Sequence, residues 1–235
     1  MQSLGKDYKA LVIGAHGTIG SAFVEQLQAD PNCAQVVTIS RATHPEFELE
    51  SEDGIAQAAQ TVADHGPFAL IIDATGALTI DGQGPEKHLG ALNAERLARA
   101  FEVNTIGPAL LIKHFSPLLA KDRSIFAKLS ARVGSISDNH KGGWYGYRAA
   151  KAALNMVLQT AAIEIHRKRP DCVVAAMQPG TVQSPLSAPF SRGHDTVTPA
   201  QSAAGLLAAL DALDNTTRAS AGAHFIDYKG QPIAW

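Results

Sequence analysis

Short apolar runs alternate with stretches of helical spacing along almost the whole chain. Lys9-Ala-Leu-Val-Ile-Gly14 is a compact apolar run closed by glycine. Thr18 to Ala29 then carries Ile19, Phe23 and Leu27 four residues apart, one face of a helix. Further strand-like runs lie at Gln35–Ser40, Phe68–Asp73, Ser124–Ser130 and Cys172–Gln178, with shorter ones at Phe47–Leu49 and His224–Asp227. Helical patterns fill Ser51–Asp64, Asn93–Ala120, Tyr147–Arg167 and Pro199–Leu213, and Ser51 stands where an N-cap would. Runs apolar at consecutive positions are strands buried on both faces, and strands separated by helices join by crossovers into a parallel sheet. The pattern predicts an α/β protein: a doubly wound, mainly parallel sheet of about seven strands with helices on both faces. No repeat or linker divides residues 1–235, which are expected to form one domain. Two loops, Asp81–Gly90 and Pro185–Pro199, are long enough to suggest function, the second as a lid over substrate.

Composition narrows the classes. Lys and Arg number 20 against 22 Asp and Glu, a net charge of −2, and no like-charge block reaches five residues. A nucleic-acid binder would need a dense basic surface. Two cysteines, Cys33 and Cys172, are too few for a disulfide framework, and no secretory leader is recognisable. No apolar run approaches ~18–20 residues, so no membrane span is expected. Nine histidines show no metal-ligand spacing, so no metal site is expected. A soluble globular protein of a reducing compartment, expected to be the cytoplasm, is what remains.

Gly14-Ala-His-Gly-Thr-Ile-Gly20 sits between the first strand and the first helix. Glycines there let the backbone turn sharply and approach a pyrophosphate, and the helix N-terminus offers free N–H groups to it. Its G-x-x-G-x-x-G spacing differs from the common dinucleotide fingerprint, so the turn acquires weight from the strand before it and the helix after it. The second strand ends in Ser40-Arg41, where an NAD site would carry an acid. Arginine pairs with a 2′-phosphate that a carboxylate would repel, which favours NADP(H) over NAD(H). His16, inside the turn, is a further candidate for that phosphate. Farther on, Tyr147-Arg-Ala-Ala-Lys151 sets a phenol and an ammonium one turn apart on one helix face. A neighbouring ammonium favours the phenolate, which makes tyrosine usable for proton exchange with a carbonyl or alcohol.

At these residues the chain resembles the short-chain dehydrogenase/reductase family, in its C-factor-like or sniffer-like carbonyl reductase branch. Val103-Asn104, Leu129-Ser-Ala-Arg-Val-Gly-Ser-Ile136, Gly142-Gly-Trp-Tyr-Gly-Tyr-Arg148, Gln178-Pro-Gly-Thr-Val-Gln-Ser-Pro-Leu186 and the ending His224–Trp235 carry the likeness as well. The resemblance implies one NAD(P)-binding Rossmann-fold domain and an NADPH-dependent reduction of an aldehyde or ketone. Tyr147 would exchange the proton, Lys151 would lower the tyrosine's pKa and bind the nicotinamide ribose, and Asn104 would hold a relay water. The cofactor would lie along Gly14, His16, Gly17, Thr18 and Ile19, then Ser40 and Arg41, then Ala74, Thr75 and Gly76. Pro179, Gly180, Val182 and Ser184 would meet its nicotinamide. A homodimer through the Asn104–Leu119 and Tyr147–Arg167 helices is implied too.

Three positions depart from that family's pattern. Thr18 replaces the middle glycine of the turn. The segment after the fourth strand reads Asp73-Ala-Thr-Gly76 in place of Asn-Asn-Ala-Gly. Ala131 stands where the acting serine is expected, leaving Ser130, Ser135 or no serine at all to meet the substrate oxygen. The last two departures motivate an alternative, an NADP(H)-binding regulatory or signalling protein with a weakened site. The glycine spacing also matches the extended sugar-nucleotide branch, whose substrate domain 235 residues hardly accommodate.

Overall fold

The computed structural model describes residues 1–184, 195–214 and 222–235. The strands are β1 (Tyr8–Ile13), β2 (Cys33–Ile39), β3 (Leu70–Asp73), β4 (Ser124–Leu129), β5 (Cys172–Gln178) and β6 (His224–Asp227). The helices are α1 (Thr18–Gln28), α2 (Glu52–Val62), α3 (Ala94–Phe101), α4 (Gly107–Phe115), α5 (Tyr145–Lys168) and α6 (Pro199–Asp211). All strand pairs are parallel, in the order β2-β1-β3-β4-β5-β6. Strand alternation divides the core in two. Leu11, Ile13, Ile71, Phe126 and Val174 face α2, α4 and α5, whereas Ala10, Val12, Leu70, Ile72 and Met177 face α1 and α6.

The doubly wound parallel class is as expected, with two differences. Six strands are present among the described residues instead of about seven, because Phe47–Leu49 is irregular. Phe47 is buried in the core, and the Leu49 carbonyl would lie 2.6 Å from a Cβ at Gly107. These apolar residues thus plug the gap beside α4 without pairing as a strand. The continuous helix expected over Asn93–Ala120 is broken into α3, a wide π turn at Glu102–Ile106 and α4. Asn93 caps α3, and Ser51 caps α2 as expected, its side chain accepting from Gly54 N. Most of Pro185–Pro199 lies outside the described residues. Its base does not: Val182 bridges to Val197.

The order in which strands are added reverses about β1, since β2 lies on one side of it and β3 on the other. The carboxyl ends of β1 and β3 therefore flank a crevice, the place where open α/β sheets take ligands. Ala74 N donates to Ile13 O at 2.8 Å across that crevice.

Candidate active site

The glycine turn floors the crevice. Gly14 has φ +80°, and a Cβ there would meet the Ala74 backbone at 3.1 Å. A Cβ at Gly20 would lie 2.1 Å from Gly14 O, so only glycine lets α1 seat this close to β1. Gly17 is the N-cap of α1 and supplies no side-chain cap, leaving first-turn N–H groups free for an anion. A cavity of about 640 Å³ opens above, lined by Gly14, His16, Gly17, Ser40, Arg41, Ala74, Thr75 and Gly76 among others. His16 Nδ1 and Ser40 Oγ are 3.1 Å apart, so the turn and the end of β2 form one wall. Arg41 is exposed on that wall, and no carboxylate pairs with it among the described residues. Arg99, by contrast, is held by Glu50, Asp81 and Glu102. Thr18 and Ile19 open α1, and Pro179, Gly180, Val182 and Ser184 follow β5. None of these six lines the cavity.

A second cavity, about 170 Å³, adjoins the first and shares Ile80, Asp81 and Arg99 with it. Tyr147 and Asn104 line it. Lys151 Nζ lies 5.7 Å from the Tyr147 ring centre and donates to Leu129 O at 3.2 Å. Tyr147 keeps a partly open edge on the cavity, but its phenol is desolvated by surrounding protein, which pushes its pKa up to about 12. Burial pulls Lys151 down to about 7, aided by the Lys128 charge and opposed by Asp73.

Asn104 sits at the centre of the π turn and is fully buried. Such turns recur at functional sites. Its side chain is committed to one partner: Oδ1 accepts from Ala77 N at 3.1 Å and Nδ2 donates to Ala77 O at 2.9 Å. The carboxamide therefore clamps the chain leaving β3.

Ser130 lies away from both cavities. Its Oγ is buried and donates to Asn155 Oδ1 at 2.6 Å. Positions 126, 128 and 130 share the sheet face beneath α5, so alternation turns Ser130 into the core. Ser135 Oγ, also buried, accepts from Asp138 N at 3.1 Å. Ser130→Ala should therefore lower stability by about 1–3 kcal/mol, the cost of leaving Asn155 Oδ1 unsatisfied. Turnover should stay within a few-fold of the parent; a thermal melt beside steady-state rates checks both.

Glu86 was not singled out from sequence. Trp144, the N-cap of α5, is left-handed with φ +56° and gives no side-chain cap. Glu86 supplies one from the preceding loop: Oε2 accepts from Gly146 N at 3.0 Å, and its carbonyl accepts from Trp144 N at 2.5 Å. A carboxylate also suits the positive end of α5. Glu86 thereby fixes the turn of helix that carries Tyr147. Glu86→Ala should lower the melting temperature by several degrees, and Glu86→Gln, which still accepts a hydrogen bond, should recover most of the loss. An unchanged melt for the alanine variant would remove this role. Asn155 was missed too, although Tyr147, Lys151 and Asn155 recur at spacing four on one helix face.

An α/β protein that sets a phenol beside an ammonium at the mouth of a nucleotide-sized crevice takes its place with the dinucleotide-dependent oxidoreductases. Comparison with known proteins agrees. Residues 8–195 match the short chain dehydrogenase model, and the chain belongs to that family. It is 30% identical over 174 residues to C-signal of Myxococcus xanthus, covering 72% of this chain and 94% of that protein. It is 29% identical over 187 residues to 1-hydroxy-2-glutathionyl-2-methyl-3-butene dehydrogenase of Rhodococcus sp. strain AD45, covering 78% of each. The fold matches that of the NADPH-bound carbonyl reductase from chicken fatty liver with a TM-score of 0.82 at 22% identity, covering 98% of this chain and 95% of that one.

Proposed function

We propose that this chain is an NADP(H)-dependent reductase that converts an aldehyde or ketone to an alcohol. The observation that carries the reading is the placement of Tyr147, which borders a cavity continuous with the nucleotide crevice. Carbonyl reduction needs a proton donor placed there.

The residues present fit the cofactor. The close approach at Gly14 and the free N–H groups of α1 suit a pyrophosphate. Ser40, Arg41 and His16 on the facing wall suit a 2′-phosphate and support NADP(H) over NAD(H). The chicken carbonyl reductase of similar fold holds NADPH. When bound, the nicotinamide supplies the hydride; the protein supplies position and proton. Tyr147 holds that proton at Oη and releases it to the substrate oxygen. Lys151, one turn on, favours the phenolate left behind whenever its amine is protonated. Asn104 keeps Ala77, and with it Gly76, against Lys151. Ser130 is better read as a support for Asn155, which leaves Tyr147 as the side-chain donor in this reading.

The test is NADPH oxidation by purified protein with a panel of aldehydes, ketones and diketones. Measurable NADPH binding with no oxidation above background would overturn the reductase reading.

A homodimer through α4 and α5 is part of the proposal. Both helices bury one face, yet Met156 is 66% exposed on α5, and Ile106 is 52% exposed just before α4. Met156→Glu should turn a dimer into a monomer by light scattering; a wild-type monomer would rule the interface out. No helix among the described residues is long and apolar enough to cross a membrane.

A further inference from the structure

A buried ion pair lies directly beneath the site and has no part in the mechanism so far. Asp73 ends β3, Lys128 is its register partner on β4, and both are fully buried. Lys128 Nζ is 3.1 Å from Asp73 Oδ1 and donates to Thr75 O at 2.6 Å. Asp73 Oδ1 also accepts from Thr75 N at 2.9 Å and from Thr75 Oγ1 at 2.6 Å. Asp73 Oδ2 is buried without a partner. The next residue, Gly76, approaches Lys151: a Cβ there would lie 3.4 Å from Lys151 Nζ and 3.1 Å from Asn104 Oδ1. Two lysine side chains thus converge on the Thr75–Gly76 segment, Lys128 at the Thr75 carbonyl and Lys151 at Gly76.

Stability does not account for this arrangement. Desolvation of two charges consumes most of their attraction, and apolar replacements of buried pairs are often neutral or stabilising. Asp73 here lacks even a full set of hydrogen bonds.

We propose that Asp73 and Lys128 are positioning residues for the reaction: the pair holds the Thr75–Gly76 segment against Lys151 and brings a second lysine to that segment. The proposal rests on the reductase reading for its role in turnover but not for the charge coupling between the two lysines.

The groups facing Lys151 are few. Tyr147 shares α5, Lys128 comes from β4 and Asp73 from β3. Arg132, in the turn after β4, is directed to Asp227 and Asp138, and Glu102 of the π turn is bound by Arg99. Lys128 acts on Lys151 more strongly than Asp73 does, so the pair as a whole favours the neutral amine. An amine near neutrality can both accept and return a proton beside Tyr147, which a fixed ammonium cannot do.

The test is the double variant Asp73→Asn with Lys128→Met, which removes both charges together and leaves no buried ion unpaired. The Lys151 side chain would be followed by ¹⁵N/¹³C NMR of lysine-labelled protein, its signal assigned with Lys151→Arg. The midpoint, near 7 in the parent, should rise by about half a pH unit or more, the size expected for loss of a nearby charge at moderate effective dielectric. The limb of the kcat pH profile that follows Lys151 should rise with it, while NADPH affinity changes little. An unchanged NMR midpoint in the folded double variant overturns the charge coupling. A moved midpoint with an unmoved kcat profile overturns the role in turnover. A parent inactive on every carbonyl tested sinks the reductase reading instead, and the NMR titration still decides the coupling.

Discussion

Tyr147→Phe should reduce kcat by about 10²–10⁴-fold, the usual contribution of a placed acid or base. The phenol is the donor with open access to the small cavity, and phenylalanine keeps the ring while deleting Oη. Packing against Trp144, whose ring centre lies 6.2 Å away, survives the change. NADPH affinity should therefore stay within about twofold, because the phosphate and adenosine contacts lie on the other cavity. The change also removes a desolvated hydroxyl, so the melting temperature should hold or rise. Single-turnover rates with NADPH in excess, beside a fluorescence titration of NADPH, separate the two effects. Turnover equal to the parent would remove Tyr147 from the mechanism.

Arg41→Asp should weaken NADPH binding by about 10²-fold and shift preference toward NADH. The charge-assisted bonds lost carry ~1.5–3 kcal/mol, and the new carboxylate adds repulsion against a 2′-phosphate; each 1.4 kcal/mol is a factor of ten. The structure makes the site receptive to this exchange. Arg41 has no acidic partner among the described residues, so its removal strands no buried charge, and Ser40 and His16 remain beside it. An acid at the end of the second strand is also the residue that holds a ribose 2′-hydroxyl in NAD sites. Equal affinities for NADPH in parent and variant would reduce Arg41 to a surface charge. The salt dependence of NADPH binding should flatten in the variant for the same reason.

These two residues were legible from sequence because their meaning is local. Tyr147 and Lys151 need only a helix to meet, and Arg41 needs only to follow a strand that follows a glycine turn. The strands were legible in the same way, as apolar runs between helical periods, and their limits shift by only a few residues. Phe47–Leu49 shows the weakness of that signal. Three residues with two apolar side chains fit an edge strand or a plug equally well, and Gly107 on a helix far along the chain decided for the plug.

The serine question was not legible for a different reason. Alternation sends Ser130 and Ala131 to opposite faces, but sequence does not say which face α5 covers. The structure puts Ser130 under α5, where Asn155 accepts its proton. Asn104 was found as a position, but its clamp was not. Its partner Ala77 lies 27 residues away, on the chain leaving β3, so nothing in the local pattern foretells the clamp.

The sequence by itself determined the parallel α/β architecture, the glycine turn, the Tyr147–Lys151 pair and the arginine at the end of β2. Each depends on periodicity or on neighbours within about one turn. Only the tertiary structure decided that Glu86 caps the helix of Tyr147, that Ser130 bonds Asn155, and that Asp73 and Lys128 lie against the Lys151 site. Those outcomes depend on side chains brought together from 25 to 60 residues apart. Burial, which sets what a charge or hydroxyl does there, is a property of the packed core and not of any segment.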